Sequence, residues 1–153
     1  MTTARYETTL ETSWSDMDMN GHMANTAYLE KAVDVRLKFF ATHRFGVGEF
    51  ARLRVGPVVM SDELSYFREV HLQEALRATL AVAGLAEDGS RWRMCNEFHR
   101  SDGQLAARVT SVGGWLDLDA RRLITPPAPL AEALAALART ADFAVLPSSL
   151  RAR

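Results

Sequence analysis

Between Asp16 and His22 the sequence reads DMDMNGH, which brings two carboxylates, a carboxamide, a glycine and an imidazole into one short stretch. Two kinds of chemistry use such a set, and a third reading uses none. The first is cation binding. Oxygen side chains at alternate positions before a glycine open a calcium loop, which then needs a bidentate glutamate at its twelfth position. Counted from Asp16, that position is Ala27, and Glu30 falls three residues too late. An entering helix should also precede such a loop, whereas the residues before this one alternate as a strand does. His22, His43, His71 and His99 are scattered, and none pairs with another histidine or with Cys95 at zinc-ligand spacing. No metal is expected. The second chemistry is that of a carboxylate acting as general base to water or as a direct nucleophile. Spacing alone does not choose between Asp16 and Asp18. The third reading is a plain polar turn, because Asp, Asn and Gly tolerate unusual dihedrals and bond their own backbone.

The flanking elements decide what these residues can face. Residues 6 to 14 place Tyr6, Thr8, Leu10, Thr12 and Trp14 at period two, which predicts a strand running into the loop. After the loop, NTAYLEKAVDVRLKFFATH sets Tyr28, Ala32, Val35 and Phe39 on one helical stripe, with Leu29, Val33, Leu37 and Phe40 beside it. Asn25 or Thr26 is expected to cap this helix through its side-chain oxygen. RFGVGEFARLRVGP carries the glycines of a loop. Four strands are then predicted, over about 58–71, 76–86, 91–100 and 105–118, with Asp-Gly turns in EDGS and SDG. Trp92, Met94 and Phe98 share one face of the third, and Val109 and Trp115 share one face of the fourth. PPAP ends the pattern, and LAEALAALART reads as a short terminal helix. The expected fold class is α+β, an antiparallel sheet covering one apolar helix. The last four strands are expected to form a meander, with the first strand joining the same sheet. One domain is expected over 1–153, its core at about 5–125 and a C-terminal helix and tail at 126–153.

Composition narrows the partners. The 153 residues carry 18 basic and 19 acidic side chains, a net charge of −1, so no broad field invites nucleic acid or a membrane surface. One cysteine allows no intrachain disulfide. MTTARYETTL has no apolar run of the kind a signal peptide or anchor needs, and no window approaches the ~20 apolar residues of a membrane span. A cytoplasmic protein is expected.

WSDMDMNGHMANTAYLEKAVDVRLKFF resembles the signature of the hotdog-fold acyl-CoA thioesterases of the 4-hydroxybenzoyl-CoA thioesterase type. In that family a strand ends in Asp-x-Asp and is followed by glycine, often histidine, one or two asparagines, a tyrosine and the central helix. Here these are Asp16, Asp18, Gly21, His22, Asn25 and Tyr28. Where many members have a first asparagine, this chain has Ala24. The resemblance implies a sheet curled around one long helix, hydrolysis of an acyl-CoA thioester, and Asp18 as the catalytic carboxylate. It also implies no cofactor beyond coenzyme A as part of the substrate, and a homodimer or homotetramer with sites at the interface. The start of the helix, near Asn25, would supply backbone N–H groups and a positive dipole end to polarise the thioester carbonyl. Gly21 would let backbone approach the substrate; His22 would orient Asp18 or the substrate, or else be a loop histidine bonded to backbone; Tyr28 would be a core residue, or else its hydroxyl would reach the acyl pocket. An acyl-carrier-protein thioesterase and a non-catalytic acyl-binding module are the alternatives. The Asp/His arrangement of a hydratase of this fold is not found.

Other residues carry weaker readings. Arg91 and Arg93 suit coenzyme A phosphates or a solvated strand face. Gly113 and Gly114 before Trp115 suggest a bulge or a close backbone approach. Cys95 and His99 share a strand face but stand ~13 Å apart, too far for a catalytic pair.

Overall fold

In the computed structural model, which describes residues 5–150, one mixed sheet of seven strands covers the long helix. The elements are β1 (Tyr6–Glu11), a 3-10 turn (Trp14–Asp16), α1 (Asn25–Thr42), α2 (Val47–Leu53), β2 (Val55–Tyr66), β3 (Ala75–Ala86), β4 (Arg91–His99), β5 (Leu105–Asp117), β6 (Arg122–Ile124), α3 (Ala128–Ala136) and β7 (Arg139–Leu146). The strand order is β1-β3-β4-β5-β2, with β6 on β5 and β7 parallel on β3.

The helix is held by aromatic side chains spaced along its buried stripe. Tyr28 meets Phe98 of β4 edge-on at 5.8 Å, Phe39 meets Tyr6 of β1 at 5.4 Å, and Phe40 meets Trp115 of β5 at 5.8 Å. Each such ring contributes about 1.5–3 kcal/mol by burial, and together they fix α1 across the sheet. The expected stripe of Tyr28, Ala32, Val35 and Phe39 is buried throughout. Its flank differs from expectation: Val33 is 40% exposed, and Arg36 is buried instead. A buried guanidinium needs acceptors. Arg36 Nε donates to Asn96 Oδ1 at 3.0 Å and its Nη2 to Ser111 Oγ at 2.6 Å, while the Ser111 hydroxyl donates in turn to Asp62. Burial pushes Arg36 down to about 10, which leaves it charged at neutral pH.

Three corrections concern the sheet and its connections. The last four predicted strands do not form one meander: only β3, β4 and β5 do, and β2 lies beyond β5. Short turns join β3 to β4 to β5, whereas the longer segment 67–74 carries the chain from β2 across to β3. The supposed loop at 44–57 contains α2, whose Phe50 is buried against Phe45 at 4.5 Å, so its glycines cap and begin a helix. The terminal helix is followed by β7, which pairs with the end of β3. The first strand is also shorter than predicted, and Trp14, expected at its end, is 80% exposed on the 3-10 turn.

The Gly-Gly step before Trp115 does mark a close approach. A Cβ on Gly113 would lie 2.2 Å from the Val58 carbonyl oxygen and 2.4 Å from the Trp92 ring. The register of β2 against β5 slips at this level, between Val59 and Ser61. The Trp92 Nε1–H donates to the Gly114 carbonyl at 3.2 Å, so the indole is seated over the glycine pair.

Candidate active site

The stretch that opens the question folds as a miniature hairpin. Met17 and Met23 form an antiparallel bridge, the Asp18 N–H donates to the His22 carbonyl at 2.9 Å, and the Gly21 N–H donates to the Asp18 carbonyl at 3.3 Å. Asp18 Oδ1 accepts the Asn20 N–H at 2.8 Å, an Asx turn that orients the carboxylate. Gly21 sits at φ +81 with nothing near its Cβ position, so it serves the turn, and it is not among the residues lining the adjacent cavity. The returning strand is pinned by the Met23 N–H to the Val70 carbonyl at 2.7 Å and by the Ala24 N–H to the Asp16 carbonyl at 2.8 Å.

The two aspartates part company here. Asp16 is buried and engaged: it accepts from the Ser13 N–H at 2.8 Å and the Ser13 hydroxyl at 3.0 Å, and it pairs with Lys31 Nζ at 2.9 Å. Burial alone would raise this carboxyl, but the hydrogen bonds from Ser13 and Lys31 outweigh it and hold Asp16 below the usual carboxylate range. Asp18 is half-buried and faces a cavity of about 430 Å³. His22, Asn25 and Tyr28 line the same cavity, so four of the five sequence-predicted site residues meet there. Asp18 Oδ2 lies 3.8 Å from His22 Nδ1, which is 3.2 Å from the Met23 carbonyl.

The helix start opens on this cavity without a side-chain cap. The N-cap is Ala24, in extended conformation, and Asn25 is already the first helical residue. The expected capping by Asn25 or Thr26 is therefore absent: neither side chain occupies the N-cap position, and alanine offers no oxygen. The Ala27 N–H bonds the Ala24 carbonyl at 3.1 Å, while the Asn25 and Thr26 N–H groups have no acceptor among the described residues. Those two donors, at the positive end of an 18-residue helix, form a ready anion-stabilising edge.

Tyr28 is both core and lining. Its ring is buried between Phe98 and Tyr66, and burial first, then Tyr66, Glu74 and Asp18, push its hydroxyl up to about 12, which keeps it a proton-bearing donor. The far wall consists of Tyr66, Phe67, Arg68 and Glu69, at and just past the end of β2. None of these was legible as a site residue, because the crossover of β2 is what brings them beside the hairpin. The Tyr66 hydroxyl donates to the Asn25 carbonyl at 3.2 Å, tying that wall to the helix start.

A second cavity, of about 410 Å³, lies over Thr79, Cys95 and Thr110 on the face of the sheet away from α1. It holds none of the predicted site residues. Burial pushes the Cys95 thiol up, and no base contacts it, so no activated nucleophile is assembled there. Arg91 and Arg93 line neither cavity; Arg91 Nε donates to Ser149 Oγ at 3.2 Å.

Known proteins fit this picture. The sequence matches the thioesterase-like superfamily over residues 12–134. Among curated proteins there is no significant match. Among solved structures, the chain is similar to a Staphylococcus aureus protein in complex with CoA, with a TM-score of 0.80, 21% identity, and coverage of 88% of this chain and 84% of that one. It is also similar to a 1,4-dihydroxy-2-naphthoyl-CoA thioesterase from Synechocystis, with a TM-score of 0.77, 14% identity, and coverage of 86% and 96%. A probable thioesterase from Escherichia coli gives a TM-score of 0.71, 20% identity, and coverage of 86% and 97%. The fold these structures share with it is the hotdog fold, as the element order led one to expect. With that fold and a sequence match spanning most of its length, this protein belongs to the thioesterase-like superfamily.

Proposed function

We propose that the protein hydrolyses an acyl-CoA thioester to the free acid and coenzyme A. One observation carries this reading: the Asp18 carboxylate and the uncapped start of α1 open on the same cavity. A thioester carbonyl seated between them would meet a base on one side and the free Asn25 N–H on the other. Asp18 takes a proton from water as the water oxygen attacks the carbonyl carbon, or attacks that carbon itself to give an anhydride that water then opens. In either route the Asn25 N–H stabilises the oxyanion, such a donor being worth about 3 kcal/mol. The C–S bond breaks as the tetrahedral species collapses, directly to the acid in the first route and to the anhydride, before water opens it, in the second; the departing thiolate takes up a proton. The Asn25 side chain has no part in these steps; its backbone N–H does.

The test is a panel of acyl-CoA thioesters varying in chain length and aromatic content, assayed for free thiol release. Hydrolysis of at least one member, lost in Asp18→Asn, is expected. Silence across the panel with the native protein would sink the reading and favour carrier-protein thioesters or acyl binding without turnover.

The same reading includes a homodimer, or two of them paired into a tetramer, working on coenzyme A thioesters in the cytoplasm. β2 supports the dimer: it is an edge strand, bonded only to β5 among the described strands, and its Val59, Met60 and Tyr66 are each more than 40% exposed. An unpaired edge of this kind invites a second copy. Light scattering at micromolar concentration should give at least twice the chain mass, and a monomer mass would overturn this part. No helix among the described residues is long and apolar enough to cross a membrane.

A further inference from the structure

Glu69 reaches the candidate site from a segment whose backbone is tied down on both sides. The neighbouring Val70 is fully buried, and its carbonyl accepts the Met23 N–H of the hairpin at 2.7 Å. The Glu69 carbonyl accepts from Arg100 Nη1, just past β4, at 3.0 Å. From this anchor the Glu69 carboxylate is directed at His22, with Oε1 lying 3.9 Å from Nε2. The other side of the same ring faces Asp18 Oδ2, 3.8 Å from Nδ1, and the Met23 carbonyl at 3.2 Å. The ring thus lies between two carboxylates, one at each nitrogen, with the Met23 carbonyl within hydrogen-bond reach of Nδ1.

We propose that Glu69 is a positioning residue of this site, acting through His22. Its carboxylate steadies the Nε2 side of the imidazole and so keeps Nδ1 beside the Asp18 carboxylate. The inference rests on the thioesterase reading for its kinetic consequence, not for the contact itself. Glu69 does not touch the reacting atoms. It holds in place the one side chain that neighbours the base, which a half-buried imidazole on a short hairpin does not do for itself. Its second oxygen lies 3.8 Å from His71 Nε2, and His71 Nδ1 lies 3.7 Å from Glu74 Oε2, so Glu69 stands between two imidazoles. Arg68, also on the cavity wall, is engaged elsewhere, with Nε donating to Gln104 at 2.8 Å.

The experiment compares Glu69→Ala and Glu69→Asp in the full chain, on the best thioester of the panel. Glu69→Ala should lower kcat about three- to fivefold, the order of one largely exposed carboxylate contact. KM should stay within about twofold, since substrate binding is not the affected step. Glu69→Asp should recover most of the loss. In the substrate-free protein, the ring nitrogen resonances of His22 should shift in Glu69→Ala at constant pH. An unchanged kcat in Glu69→Ala, a loss that Glu69→Asp does not recover, or unmoved His22 resonances would each overturn the proposal. If the native protein cleaves no thioester, the functional reading fails on its own, and the His22 spectrum still decides whether Glu69 holds the ring.

Discussion

Asp16 and Asp18 are the same residue type two positions apart, yet they sit in opposite surroundings. Asp16 points back into the fold, where a backbone N–H, a hydroxyl and an ammonium converge on its Oδ2. Asp18 spends one oxygen on the Asn20 N–H and presents the other toward His22 and the cavity. The difference lies in where the hairpin turns. Asp16 precedes the Met17–Met23 bridge and Asp18 lies inside it. A carboxylate held by three donors off the cavity anchors; one with a free oxygen over it is available for chemistry.

The largest expected effect comes from exchanging that free oxygen. Asp18→Asn should lower kcat on the order of 10³-fold, as removal of a general base does, with an unchanged melting temperature. If activity survives and stability falls instead, the two roles are the reverse of those assigned. Next comes the helix start. Asn25→Pro removes one N–H at the first helical position, where proline fits and no intrahelical bond is lost. The extended dihedrals of Ala24 suit a residue before proline. This variant should lose on the order of 10²-fold in kcat with its helix content intact by circular dichroism, whereas Asn25→Ala, which keeps the N–H, should change kcat little. Equal losses in both would move the role from backbone to side chain. The smallest effect is on stability. Asp16→Asn should cost about 2 kcal/mol at neutral pH, the worth of a hydrogen-bonded charge, with thioester cleavage retained. Because the folded-state pKa of Asp16 is depressed, its contribution is present above the unfolded carboxylate value of about 4. That contribution is lost as pH falls through the folded value, so denaturation curves of variant and native protein should converge in acid.

Much of this arrangement was legible because it is local. The 3.6-residue spacing of Tyr28, Ala32, Val35 and Phe39 and the Asp-Gly turns at 88–89 and 102–103 depend only on neighbouring residues. So does the rejection of a calcium loop at Ala27. What was not legible is what distance in sequence conceals. Arg36 reads as a surface residue until Asn96 and Ser111 come to meet it. Asn25 reads as a cap until Ala24 takes the N-cap position. Glu69 reads as one acidic residue among many, because its proximity to His22 depends on β2 crossing to the far side of β5. β7 was hidden by its short, mixed-polarity run, whose place depends on the end of β3. The choice of Asp18 over Asp16 came from family resemblance rather than spacing, and the hairpin now supplies a physical reason for it.

The pairing of β2 with β5 and of β1 with β3 also sets a clock. Tyr6 is registered opposite Leu80, and Val55 opposite Asp117. Those two registers join residues 74 and 62 positions apart, and such long-range pairings put mixed and β-rich domains toward the millisecond-to-second end of folding times. α1 leaves the ribosome well before Trp115, the ring that will cover Phe40. Until β5 arrives, Phe40 lacks that cover, so the growing chain exposes apolar surface of α1 late into synthesis.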